Sequence, residues 1–170
     1  MPGGARRRAG SRMSLPEPNF PPDQGSYVLA LDAAAPFRLR PGALGERLLD
    51  AGVYLYVGSA FGPGGLRARL SRHWSGAERL RWHVDYLRRQ THPLAAWYQS
   101  QAQPMEHVWA RVLGAGRGLA PAWPGFGASD CRCFTHLFYA SELPSLGAFK
   151  ARLSRAGCDV GGLSALGTAK

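Results

Sequence analysis

One stretch constrains the fold more than any other. Val53-Tyr54-Leu55-Tyr56-Val57 is a run of β-branched and aromatic residues, followed by Gly58-Ser59-Ala60, Gly62-Pro63-Gly64-Gly65 and a helical pattern from Leu66. Such side chains suit a packed, pleated strand, and the glycines and proline beyond them punctuate it. At 100° per residue Leu66, Leu70 and Trp74 then form a single apolar stripe, so strand, glycine-rich turn and amphipathic helix follow in order. Tyr27-Val28-Leu29-Ala30-Leu31, bounded by Gly25 and Asp32, has the length of a second buried strand. Phe37-Arg38-Leu39-Arg40 alternates and is expected to pair with it as a half-exposed strand. The spacing predicts further helices over 80–89, 104–113 and 144–153, and strands over 94–99 and 134–140. Hairpin-like strands first and helices afterwards give an α/β (α+β) fold: a small, mainly antiparallel central sheet flanked by helices.

Residues 1–24 hold Gly3-Gly4, the cluster Arg6-Arg7-Arg8 and prolines at 16, 18, 21 and 22, a composition that predicts a flexible basic arm. From 156 the chain turns to Gly, Ser and Ala and is expected to fray. The domain is therefore expected over 25–155. The chain has no run of eighteen apolar residues to span a membrane. No apolar segment follows the N-terminal arginines, so they are not a secretory signal. Three cysteines without such a signal (Cys131, Cys133, Cys158) fit a reduced cytoplasm rather than a disulfide framework.

Charge narrows the partner. Lys and Arg number 21 against 11 acidic residues, a formal net charge of +10. Base composition of a genome explains arginine in place of lysine, but not the scarcity of carboxylates. Such a surplus favours a polyanion, most simply DNA or RNA, with an anionic membrane surface second. A nucleoid-associated cytoplasmic protein is the expectation. The surplus concentrates between Pro63 and Arg89, where seven arginines face only Glu78 and Asp85 and are interleaved with His73, Trp74, Trp82, His83 and Tyr86. Basic residues alternating with aromatics suit a surface that follows a phosphate backbone and stacks a base. Arg67, Arg72, His73, Arg81 and His83 are the candidate contacts, the alternative being a solvated basic face. Arg69 and His73 sit at the edge of the apolar stripe, where packing holds an arginine stem and frees its guanidinium for a phosphate.

In the helix predicted over 104–113, Met105, Val108, Trp109 and Val112 face the core, with Glu106 beside them. A carboxylate there is placed to hold a hard divalent cation in a cleft or to pair with a neighbouring arginine.

Gly25-Ser26-Tyr27, Tyr56-Val57-Gly58 and Gly65-Leu66-Arg67-Ala68-Arg69-Leu70-Ser71-Arg72-His73 together resemble the core of the GIY-YIG nuclease superfamily. The longer blocks from Tyr56 to Leu66, Trp82 to Leu87 and Gly125 to Cys133 resemble one branch of it. That branch occurs as a stand-alone prokaryotic protein and, in some archaea, fused to endonuclease III-like repair enzymes. The likeness covers roughly 25–140. It implies a GIY-YIG-like fold and a metal-dependent DNA endonuclease of repair or recombination. Tyr27 would serve the attacking water as general base or its orienting partner, and Tyr56 would hydrogen-bond the scissile phosphate or that water. Gly58 would let the backbone turn beside the site, Arg69 would neutralise phosphate charge, and Glu106 would bind one Mg²⁺ or Mn²⁺. The first motif reads Gly-Ser-Tyr, residues 33–50 form an insertion, and the asparagine frequent late in active members has no counterpart. The alternatives are a non-catalytic nucleic-acid-binding module on the same fold and a protein-interaction adaptor.

The block Ser129-Asp130-Cys131-Arg132-Cys133 with His136 has three readings. Cys131, Cys133 and His136 supply three soft ligands, and His83 is the sequence candidate for a fourth around zinc. A structural turn is simpler, with Asp130 capping or pairing and the cysteines packed. The third places Asp130 and His136 beside Glu106.

Overall fold

Strand β1 (Gly25–Ala33) lies at the centre of a six-stranded antiparallel sheet, between β4 (Gly52–Ala60) and β5 (His92–Ser100). The computed structural model describes residues 18–167; the predicted arm's Arg6–Arg8 cluster lies outside them. Short strands β2 (Phe37–Leu39) and β3 (Arg47–Leu49) precede β4, and helices α1 (Gly65–Ser75) and α2 (His83–Arg88) precede β5. Then follow α3 (Glu106–Gly114), β6 (Ala120–Pro121), β7 (Leu137–Ala140), α4 (Leu146–Arg155) and β8 (Ser164–Gly167). The sheet order is β6-β7-β4-β1-β5-β8, with every pairing antiparallel, as the α+β expectation required.

The two long apolar runs form central strands because both faces of the sheet are covered. Side chains alternate across a strand. Tyr27, Leu29, Leu31, Tyr54 and Tyr56 pack on one face with Leu66, Leu70 and Trp74 of α1 and Val84 and Leu87 of α2. Val28, Ala30, Val53, Leu55 and Val57 pack on the other with Trp109 and Leu113 of α3 and Phe149 and Leu153 of α4.

Three expectations are corrected. Phe37–Leu39 pairs with Arg47–Leu49 in a separate two-stranded ribbon, because β4 and β5 already occupy both edges of β1. The core begins before residue 25. Phe20 is fully buried, with its ring edge-on to Trp74 and Tyr98, a burial that contributes on the order of 2 kcal/mol. The carbonyls of Pro21 and Asp23 accept the Arg67 and Leu66 amides, satisfying donors that a helix start leaves without partners. Gly65 permits this approach: its φ is +54°, and a Cβ would lie 2.2 Å from the Pro22 carbonyl oxygen. Finally, the segment from 156 does not only fray, since Ser164–Gly167 pairs with Ala95–Tyr98 as an edge strand.

The second helix starts at His83 rather than 80. Asp85 Oδ2 accepts the amides of Arg81 and Trp82, so this side chain fixes the entry to α2. No described helix is long and apolar enough to cross a membrane.

Candidate functional site

Tyr27 and Tyr56 leave neighbouring strands toward α1, with ring centroids 6.4 Å apart, and His73 lies 6.1 and 6.3 Å from them. Gly58 stands in mid-strand opposite Tyr27, not at a turn. A Cβ there would lie 2.5 Å from the Tyr27 hydroxyl, so this glycine makes room for the phenol. Burial, with Tyr56 next to it, pushes the Tyr27 phenol well above its ordinary range, and Arg69 only partly offsets this. Burial also pushes Tyr56 up to about 12; Arg69 pulls it down, while Asp85, Asp130 and Glu106 push it further. Both side chains are therefore hydrogen-bond donors at neutral pH.

Arg69 is half-buried, its guanidinium 4.2 Å from the centre of the Trp82 ring. Arg72 and Arg81 lie over the same ring, each at 4.9 Å. One indole thus gathers three cations, which cation–π attraction favours. Behind them sits Asp85, a buried carboxylate that sequence reasoning passed over as one of two local acids. Its Oδ2 accepts from Arg72 Nη2 at 2.8 Å as well as from the two amides, and its Oδ1 faces His73 Nδ1 at 3.4 Å. Burial alone would raise its pKa. The contacts with His73, the Trp82 amide, Arg72 and the Arg81 amide hold it far below the ordinary carboxylate range instead.

His73 is 1% exposed. Burial lowers its pKa against the opposing pull of Asp85, so the ring is neutral. As a direct nucleic-acid contact it is corrected: it packs between the tyrosines and Trp82. Arg67 is not brought to this face either. Its Nε donates to the Phe20 carbonyl, and it lines a separate cavity with Asn19, Tyr98 and Ser100. Arg88 is structural, with its guanidinium donating to the carbonyls of His73, Trp74 and Thr91 and so closing the C-terminal end of α1.

Glu106 opens α3, and Ser26 holds that end of the helix: its buried hydroxyl accepts the Met105 amide at 2.9 Å. Ser26 immediately precedes Tyr27, so one residue of β1 ties the helix carrying Glu106 to the strand carrying the tyrosine. Pairing of β7 with β4 reaches only Tyr56. Glu106 Oε2 is buried without a hydrogen-bond partner.

Beside Glu106 lies a cluster of His107, Cys131, Cys133 and His136, whose ligand atoms all fall within 4.8 Å of one another. His107 Nδ1 is 3.2 Å from Cys133 Sγ, and His136 Nε2 is 3.5 Å from Cys131 Sγ. These residues form a possible metal-binding group. The fourth member is His107, not His83. His83 Nδ1 accepts the Gly127 amide at 3.0 Å and its ring lies 5.3 Å from Phe126, which ties α2 to the turn before the cysteines. Sequence reasoning missed His107 because it lies on a helix 24 residues before Cys131, outside the Cys-x-Cys-x-x-His spacing. Asp130 is exposed, and its charge acts on Tyr56 and His136. A cavity of about 590 Å³ borders the cluster, lined in part by Arg111, Arg132 and the exposed Phe134.

A family model described as "Domain of unknown function DUF123" matches residues 26–157, most of the chain. The chain belongs to the DUF123 family. The match takes in Ser26, both tyrosines, Arg69, Asp85, Glu106 and all four members of the His/Cys cluster, so the whole constellation lies inside the DUF123 domain. No curated protein and no solved structure matches the chain.

Proposed function

We propose that this DUF123 protein is a metal-dependent phosphodiesterase of the GIY-YIG type, acting on DNA in repair or recombination. The observation that carries the reading is the convergence of Tyr27, Tyr56, Arg69 and Glu106 from β1, β4, α1 and α3. Tyr56 feels the opposing charges of Arg69 and Glu106. A phosphate seated against the tyrosines would have the guanidinium and the carboxylate within reach.

Of the two roles that the resemblance offers, the raised phenol of Tyr27 supports the orienting one. It would orient the attacking water by donating a hydrogen bond, while that water's proton passes to a phosphate oxygen or to solvent. Tyr56 donates to a phosphate oxygen. Arg69, its stem packed and its head over Trp82, meets charge as it grows on the phosphate, where fixed cations are worth most. Arg81 adds a cation over the same indole. Arg111, Arg132 and the exposed Phe134 of the cavity beside the His/Cys cluster offer cations and a stacking face to a strand that reaches it.

A single Mg²⁺ or Mn²⁺ is the ion that this reading calls for, and one observation supports it. The buried, partnerless Oε2 of Glu106 is a hard oxygen ligand, and Mg²⁺ commonly binds through one or two carboxylates with water and phosphate oxygens completing its shell. Such an ion would polarise the phosphate and stabilise the leaving oxygen.

The test is a cleavage assay on labelled duplex, single-stranded, flap and branched DNA with Mg²⁺ or Mn²⁺, with wild type, Glu106→Gln and Tyr27→Phe purified in parallel. Metal-dependent cleavage by wild type that drops in both variants is expected. Binding without cleavage in every protein would overturn the enzyme and leave a DNA-holding module.

A further inference from the structure

We infer that His107, Cys131, Cys133 and His136 form a structural zinc site. This inference is independent of the phosphodiesterase reading, and its test does not measure cleavage. Zinc bonds of about 2.3 Å to sulfur and about 2.0–2.1 Å to nitrogen make tetrahedral edges of about 3.3–3.8 Å. Two opposite edges have nearly those lengths already: His107 Nδ1 to Cys133 Sγ at 3.2 Å and His136 Nε2 to Cys131 Sγ at 3.5 Å. The remaining atoms lie no further apart than 4.8 Å, so closing the set requires side-chain shifts of about 1 Å or less.

The surroundings favour a metal over two isolated sulfur–imidazole contacts. His136 Nδ1 lies 3.1 Å from the Val57 carbonyl, which can only accept, so Nδ1 carries the proton and the Nε2 lone pair points at the cluster. His107 turns Nδ1 to the cluster and Nε2 toward Glu106 Oε1, 3.7 Å away. Carbonyls and carboxylates behind the ligating histidines are the usual outer partners of protein zinc. Two thiolates and two neutral imidazoles neutralise Zn²⁺ and leave no open position, which is the composition of structural sites. On binding, the two thiol protons pass to solvent and no oxidation state changes.

The location also calls for a cross-link. Residues 127–134 contain neither helix nor strand. Zinc would fasten this segment to the first turn of α3 and to the residue preceding β7.

The experiment is elemental analysis of untagged protein produced in zinc-supplemented medium, together with Co²⁺ substitution of the demetallated chain. About one zinc per chain is expected, with loss in a Cys131→Ser/Cys133→Ser variant and retention in Cys158→Ser. Tetrahedral Co²⁺ should give strong visible d–d bands and a sulfur-to-cobalt charge-transfer band. His107→Ala should change this spectrum, whereas His83→Ala should leave it intact. Wild-type protein with no more zinc than the double-serine variant, and no tetrahedral Co²⁺ spectrum, overturns the site. A spectrum altered by His83→Ala but not by His107→Ala overturns the ligand set. Because the Co²⁺ spectrum is read on wild type, a variant that fails to fold does not decide the question.

Discussion

Val57 and His136 are joined twice: the Val57 amide donates to the His136 carbonyl at 2.9 Å, and His136 Nδ1 returns a hydrogen bond to the Val57 carbonyl at 3.1 Å. Val57 stands between Tyr56 and Gly58, so the strand that presents the candidate catalytic tyrosine is stitched directly to a member of the His/Cys cluster. On the other side, Gly127 presses against Tyr56 and His136 together. The two groups of residues are neighbours that share a wall.

Gly127 therefore tests how tightly that wall is packed. Its φ is +70°, and a Cβ would lie 2.8 Å from Tyr56 Cε2 and 3.1 Å from His136 Cβ. Gly127→Ala should destabilise the fold by about 1–3 kcal/mol through backbone strain alone, read as a lower midpoint in urea. An unchanged midpoint would mean that the turn relaxes freely.

Tyr27→Phe should lower the cleavage rate roughly 100-fold, the low end of what removing one positioned hydrogen-bond donor costs. The loss should be uniform between pH 6 and 9, because the phenol does not titrate there. A wild-type rate that climbs with pH and a flat profile in the variant would instead make Tyr27 the base.

Asp85→Asn should cost about 3 kcal/mol, since it leaves Arg72 facing a neutral group inside a packed network. Asp85 and His73 both ionise below their ordinary values of 3.8 and 6.5. In acid the unfolded chain therefore binds more protons than the folded one, and stability rises with pH. The His73 share is present above about pH 6.5 and falls away below it. The Asp85 share is lost only below about pH 4. Thermal melts across this range should show both phases in wild type and only the first in Asp85→Asn.

Binding to duplex DNA should weaken linearly in log–log salt, and Arg81→Gln should reduce the slope by about 0.9 if Arg81 meets one phosphate. Arg67→Gln should leave the slope alone, because Arg67 points to a different cavity. Affinity indifferent to salt would favour the adaptor reading.

Phe20→Ala should cost about 3–5 kcal/mol, as for a large aromatic deleted from a core. A loss of only a few tenths in chemical denaturation would restore the domain start to residue 25.

The sequence by itself determined the central strands, the helix after the glycine-rich turn and the mixed α+β class. Those features follow from local periodicity and from glycine and proline, which act over a few residues. Tyr27, Tyr56, Arg69 and Glu106 could be nominated there because they lie in strand and helix patterns with recognisable neighbours. Only the tertiary structure decided what depends on contacts between distant segments. Arg67 and Arg69 are two residues apart, yet the helix turns one toward Phe20 and the other onto Trp82. His73 reads in the sequence as a candidate nucleic-acid contact at the edge of the apolar stripe, but packing against Tyr27, Tyr56 and Asp85 buries it. Ser26 and His107 carry no motif; they matter because antiparallel pairing and the placement of α3 bring one under Met105 and the other against Cys133. Hydropathy periodicity specifies which face of an element is buried, whereas the partner of each polar side chain is set only when the elements meet.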